Sequence, residues 1–198
     1  DVKCGCSYNP IGRNSGYYLR LCMLDGDDQN MAITVGRVNY LHDEPFYFDM
    51  ARRGVEWRDM APSKMSHGIE SGEIIAAPVP IIDCFRLGDK IQPVAGFCIA
   101  SIDRAGSVNM YSTKPIEDLE GARIAVINEA VTAPKLLEVL LKIKYGIKSF
   151  EFVNMEDEPF DALLLIGNRG LRQRRGVRGF SHTYDLGKEW NTWTRLPF

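Results

Sequence analysis

His42 stands in Asn39-Tyr40-Leu41-His42-Asp43-Glu44-Pro45, directly after the apolar-rich run Ala32 to Val38. An imidazole there can donate to a ligand carboxylate or carry a proton near neutral pH. Asn39 can offer an amide to the same ligand. The plain alternatives are a solvent-facing loop histidine and an asparagine that only forms a turn. Asn128-Glu129-Ala130-Val131-Thr132 ends a second apolar run and opens the most regular helical pattern of the chain. Thr132 and the free N–H groups beside it can hold a carboxylate, or Thr132 can simply cap the helix. Gly167-Asn168 follows Leu163-Leu164-Leu165-Ile166 and makes a similar corner. Glycine there lets the backbone approach a ligand, or merely turns the chain.

The remaining reactive residue types say less. Arg169, Arg172, Arg174, Arg175 and Arg178 suit carboxylate or phosphate contacts, but such a run is more often a solvated face. His67 falls inside a surface helix and reads as structural. Cys4, Cys6, Cys22, Cys84 and Cys98 are an odd set without repeated CxxC spacing, which fits reduced thiols in a cytoplasmic protein. Cys4-x-Cys6 supplies two of the four ligands of a tetrahedral site, so no metal is expected. The sequence contains no P-loop, GxSxG elbow, HExxH or dinucleotide fingerprint.

The elements that must hold these corners follow from hydrophobic periodicity and its punctuation. Strands are expected at Ala32–Val38, Ile74–Val79, Gln92–Ser101, Ser107–Thr113, Arg123–Ile127, Phe150–Val153 and Asp161–Ile166. Helices are expected over Phe46–Arg53, from Pro62 with Ser63 as N-cap to Gly72, and over Ile81–Leu87. Further helical pieces are expected from Pro115 to Gly121, over Val131–Tyr145 with Gly146 as stop, from Gly167, and over Leu186–Thr194. The alternation predicts an α/β fold with a largely parallel sheet, divided into two lobes with a cleft between them. Residues 1–30 read as an irregular extension with one short strand at Tyr17–Met23, 31–105 as lobe one, and 106–198 as lobe two with a return segment. Ligands are expected at the loops 39–45, 78–81, 128–132 and 167–169.

The 198 residues suffice for one large domain or two small lobes. With 24 basic against 26 acidic side chains, the net charge of -2 gives no support for nucleic-acid binding. The longest apolar stretches, Ile74–Pro80 and Ala162–Ile166, fall far short of the ~20 residues of a membrane span, so no membrane partner is expected.

Several segments, in order, resemble the chorismate dehydratase family of menaquinone biosynthesis. They are Val35 to Pro45, Ala77-Pro78-Val79-Pro80, Pro93 to Ser101, Gly106-Ser107-Val108, Ala162 to Asn168, Tyr184 to Trp190 and Leu196-Pro197-Phe198. The resemblance covers about residues 31 to 198. It implies a type II periplasmic-binding-protein-like fold and cytoplasmic conversion of chorismate to 3-[(1-carboxyvinyl)oxy]benzoate in the futalosine route, without metal or organic cofactor. The implied substrate is a small anionic precursor of an aromatic ring. His42 and Asn39 are implied as catalytic, and Tyr40, Pro80, Ser101, Ser107, Thr132, Gly167 and Asn168 as substrate-binding. Two departures stand out. Family members commonly read Ser-Tyr-Leu-Asn where this chain has Asn39-Tyr40-Leu41-His42, and Thr-Ser where it has Thr132-Ala133. Relatives also continue past the position of Phe198 to complete lobe one; without that part, an exposed flank predicts weak stability or pairing, for instance as a homodimer. The alternatives are a non-catalytic binding protein for a small carboxylate and the related enzyme step that makes dihydroxynaphthoate.

Overall fold

A computed structural model describes residues 33–94 and 98–198. The expected extension, its strand and Cys4, Cys6 and Cys22 lie outside the described residues. The unit Ala32–Phe198 is built around two sheets.

The first sheet is small. Strand β1 (Ile33–Arg37) pairs in parallel with β2 (Val55–Asp59), Ile33 opposite Val55 and Arg37 opposite Asp59. Strand β2 was not expected, because Val-Glu-Trp-Arg-Asp has only two apolar residues and lies almost wholly in water. On the other side of β1, the expected strand Ile74–Val79 shrinks to one bridge, Val35 to Ala76, flanked by Gly36 N–H to Ala76 O and Ile75 N–H to Thr34 O. Helix α1 (Pro62–Glu70) starts with Pro62 at its first position and Ala61, not Ser63, as N-cap. Proline suits that position because its missing N–H would have no partner there. Met65 and Ile74 pack with Val38 beneath the sheet. Gly36 is required where they meet: a Cβ would lie 2.6 Å from Ile74 Cδ1 and 2.7 Å from Met65 Sδ. Helix α2 (Ile81–Leu87) has the predicted bounds, whereas the helix expected over Phe46–Arg53 is two 3-10 turns, Glu44–Phe46 and Ala51–Arg53.

The second sheet has five strands in the order β5 (Phe150–Asn154), β4 (Ala122–Val126), β6 (Ala162–Leu165), β3 (Asn109–Ser112), β7 (His182–Asp185). β4 runs parallel to β5 and β6, but β3 runs antiparallel to β6 and β7. The sheet is therefore mixed, not largely parallel as expected. Its central strands β3 and β6 are buried at every position, as suits strands covered on both faces. Edge strand β7, His-Thr-Tyr-Asp, is partly wet, and its polar alternation hid it from the sequence reading. Helix α3 (Thr132–Val139) continues as a π-helical turn to Lys144 and puts Leu137, Leu140 and Leu141 into the core with Ile124, Met110 and Leu164. Helix α4 (Gly167–Arg172) and α5 (Leu186–Thr194) complete the lobe.

The expected strand Gln92–Ser101 forms no strand among its described residues. Instead Ser101 and Phe198 exchange two backbone hydrogen bonds, at 2.7 and 2.8 Å. The passage to β3 is fixed by buried Asp185, whose carboxylate accepts from Ala105 N–H at 2.9 Å, Gly106 N–H at 2.7 Å and Lys188 N–H at 3.0 Å. One side chain thus caps α5 and holds the segment that leads to Ser107.

Candidate functional site

The loop after β1 crosses to the start of α4. Asn168 makes the bridge with one amide: its Oδ1 accepts from Leu41 N–H at 2.9 Å, and its Nδ2 donates to Asn39 O at 3.2 Å. A side-chain amide is suited to this because it carries a donor and an acceptor side by side, as a peptide does. Gly167, next to it, has φ 56°, and a Cβ there would lie 2.7 Å from the Tyr40 ring. Glycine is needed both for that backbone conformation and for the aromatic contact. Tyr40 packs in turn against the His42 ring, with centroids 5.4 Å apart and planes tilted by 52°.

Asn39, Tyr40, His42, Gly167 and Asn168 are thus gathered at one place from the two sheet-centred lobes. The Tyr40 hydroxyl is pushed above its usual pKa, first by burial and then by the charges of Glu129 and Asp43, against a smaller opposing effect of Arg169. That electrostatic coupling links the Tyr40 corner to the loop before α3. Thr132 opens α3, but Val131 occupies the N-cap position and no side chain caps the helix. The Thr132 hydroxyl oxygen is buried without a hydrogen-bond partner, so the plain reading of Thr132 as a cap is not what the structure shows. Ser101 Oγ is in the same condition. A buried polar atom left unpaired costs about 1–3 kcal/mol, which a ligand supplying the missing bond would recover.

Other expected site residues are placed differently. Ser107 is half-buried, and its carbonyl oxygen abuts Gly170 of α4, where a Cβ would come within 2.2 Å. Pro80 is the N-cap of α2, its carbonyl accepting from Asp83 and Cys84, so its hydrogen bonds go elsewhere. The basic run after Arg169 lies exposed, as the plain reading had it. The residue that sequence reasoning missed is Asp43, which is 2% exposed beside His42. An aspartate between a histidine and a glutamate in a Pro-ended loop gives no signal of burial.

An open depression of about 690 Å³ on the small lobe shares Leu41 with that corner and is lined also by Arg37, Glu44, Phe48 and Trp57. Arg37 is already engaged there, pairing with Asp59 at 2.6 and 3.0 Å and lying 5.1 Å from the Trp57 ring centroid. Size alone does not make this the site, since Arg37 and the Tyr47 hydroxyl in its lining are already bonded, whereas Asp43 Oδ1 beside His42 is not. Among the described residues no group of three or more His, Cys, Asp or Glu could hold a metal ion. No described helix is long and apolar enough to cross a membrane.

Two sheet-centred lobes joined across this corner define a mixed α/β protein. An X-ray structure of a protein from Archaeoglobus fulgidus has the same fold, with a TM-score of 0.60 and 21% identity over 84% of this chain and 64% of that one. The family model described as menaquinone biosynthesis matches residues 33–198, and the chain belongs to that family. A chorismate dehydratase of Thermus thermophilus is 24% identical over 181 residues, covering 83% of this chain. The chain spans 66% of that protein's length.

Proposed function

We propose that the chain acts as a carbon–oxygen lyase of the chorismate dehydratase type, converting chorismate to 3-[(1-carboxyvinyl)oxy]benzoate and water. The observation that carries this reading is the corner itself. Asn168 fastens the Tyr40–His42 loop to α4, and beside it, in this reading, stand Thr132 and Ser101, whose buried hydroxyls are unpaired. Chorismate bears two carboxylates and a ring hydroxyl, which are the groups such hydroxyls, amides and a helix N-terminus can hold.

The reaction is an elimination. The C–H bond on the ring carbon next to the hydroxyl-bearing carbon breaks, and its electron pair forms the new ring double bond. As that double bond forms the C–O bond breaks, and the hydroxyl leaves with a proton as water. Aromatisation of the ring drives the step, and the balance requires no oxidant. In this reading His42 moves the proton, Asn39 and Asn168 orient the ring substituents, and Tyr40 and Gly167 shape the pocket against it. Holding the substrate between two lobes also excludes water from the reacting carbon.

The test is incubation of the purified protein with chorismate, followed by chromatography and mass analysis. A product lighter by one water, formed above the spontaneous rate, is the expected result. Unchanged chorismate together with a chorismate-induced thermal shift would favour a non-catalytic carboxylate-binding protein instead. His42→Ala should lower kcat by about 100-fold with little change in KM if the imidazole carries the proton.

A further inference from the structure

The turn after Tyr40 buries a carboxyl that the elimination described above does not use. Asp43 N–H donates to Tyr40 O and Asp43 O accepts from Phe46 N–H, both at 3.0 Å, so the backbone holds the side chain inward at 2% exposure. Asp43 Oδ1 is buried and has no hydrogen-bond partner. His42 Nε2 lies 3.3 Å from it, close enough for an ion pair but not aligned as a hydrogen bond. Glu44 and Tyr47 also act on Asp43 electrostatically. Glu44 has no proton to give when ionised, and the Tyr47 hydroxyl is already donated to Gly36 O at 2.8 Å. The imidazole is therefore the donor within reach.

We propose that Asp43 is a positioning residue for His42: its buried Oδ1 accepts the Nε2 proton and leaves Nδ1 as the nitrogen presented to substrate. This rests on the reading of His42 as the group that moves the proton. A neutral imidazole holds one N–H and one lone pair, and the partner of one nitrogen decides the state of the other. With Nε2–H turned toward Asp43, the substrate C–H proton passes to Nδ1. The carboxylate then steadies the imidazolium until the same proton leaves with the departing hydroxyl.

Two measurements test the pair. Long-range proton–nitrogen NMR of the wild-type protein should find neutral His42 protonated on Nε2, and Asp43→Asn should weaken that preference. In turnover, Asp43→Asn should lower kcat by about 30-fold while KM stays within about 3-fold, the pattern of a group acting through another. Wild-type kcat in Asp43→Asn, or a His42 proton on Nδ1 in the wild type, overturns the proposal. If the wild-type protein leaves chorismate untouched, the dehydratase reading falls, and the NMR comparison alone decides the pair: an Nε2–H preference that weakens in Asp43→Asn upholds it, and Nδ1–H in the wild type or a preference unchanged in the variant refutes it.

Discussion

The two lobes are stabilised to very different depths. In the large one, strands β3 and β6 are covered on both faces, and Met110, Ile124, Leu137, Leu140, Leu141 and Leu164 are fully buried around them. In the small one the main cluster is Val38, Met65 and Ile74, with Tyr40, Met60, Ile69 and Ala77 packed against it, and Val35, Tyr47 and Leu87 are buried apart from that cluster. Its β2 shows most of its length to water, and Leu41, Phe48, Phe85 and Ile75 are exposed by 69, 92, 75 and 65%. The lesson is a division of labour: the large lobe supplies a rigid base, and the small lobe lays a lightly anchored loop on it. Segments of low local stability are where loops that move with ligand are found.

The sharpest test of this contrast is a pair of glycine substitutions. Gly170→Ala puts a Cβ 2.2 Å from Ser107 O and 2.8 Å from Ser107 C, backbone atoms that cannot yield. It should cost more than about 3 kcal/mol in denaturant unfolding, or prevent folding. Gly36→Ala meets the ends of Ile74 and Met65 instead, which can rotate, so about 1–3 kcal/mol is expected. A larger loss in Gly36→Ala would invert the comparison.

Next comes the clamp between the lobes. Asn168→Ala removes the bonds to Leu41 N–H and Asn39 O, and about 1–2 kcal/mol should be lost. Because those bonds hold the His42 loop, chorismate turnover should fall far more than thermal stability does. Equal losses in both would make Asn168 a structural residue only.

Asp43 gives a smaller, pH-dependent effect. Burial raises its carboxyl above the usual 3.8, opposed by His42 and aided by Glu44. A carboxyl raised in the folded state stabilises the fold only while protonated. The penalty of ionising it is absent below the unfolded value, grows as pH rises through the unfolded and then the folded value, and is constant above both. Asp43→Asn should therefore match the wild type in thermal stability at acid pH and exceed it at neutral pH. An advantage confined to acid pH would contradict the burial of this carboxyl.

The smallest effect belongs to the wet edge of the small lobe. Arg37→Met breaks the pair with exposed Asp59, and less than about 1 kcal/mol should be lost, diminishing as salt is added.

How far the sequence disclosed this molecule also follows the two lobes. Residues with deep burial left a strong pattern, and the strands Ala162–Leu165 and Ala122–Val126 were legible to within a residue or two. The helices Ile81–Leu87 and Leu186–Thr194 were legible as well, although the first buries only Leu87 and the second only Leu186 and Gly187. The edge strands β2 and β7 were not, since Val-Glu-Trp-Arg-Asp and His-Thr-Tyr-Asp alternate polar side chains that look like loop, whereas the edge strand β5 was. Strand direction was also hidden, because the antiparallel placing of β3 depends on what it pairs with, β6 and β7, and not on its own composition. At the candidate site, the corners Asn39–His42 and Gly167-Asn168 could be read from turn chemistry. Their meeting, with the Tyr40 ring against Gly167, is a contact between distant segments that no local pattern encodes. Asp43 escaped for the same reason, its burial being imposed by the turn and the packing around it.

The most direct test of where substrate binds is amide hydrogen exchange with and without chorismate. Slowed exchange through residues 167–170, with no change on the Trp57 and Phe48 face, is the expected result. Protection on the Trp57 face with residues 167–170 unaffected would contradict the assignment and move the site to the open depression of the small lobe.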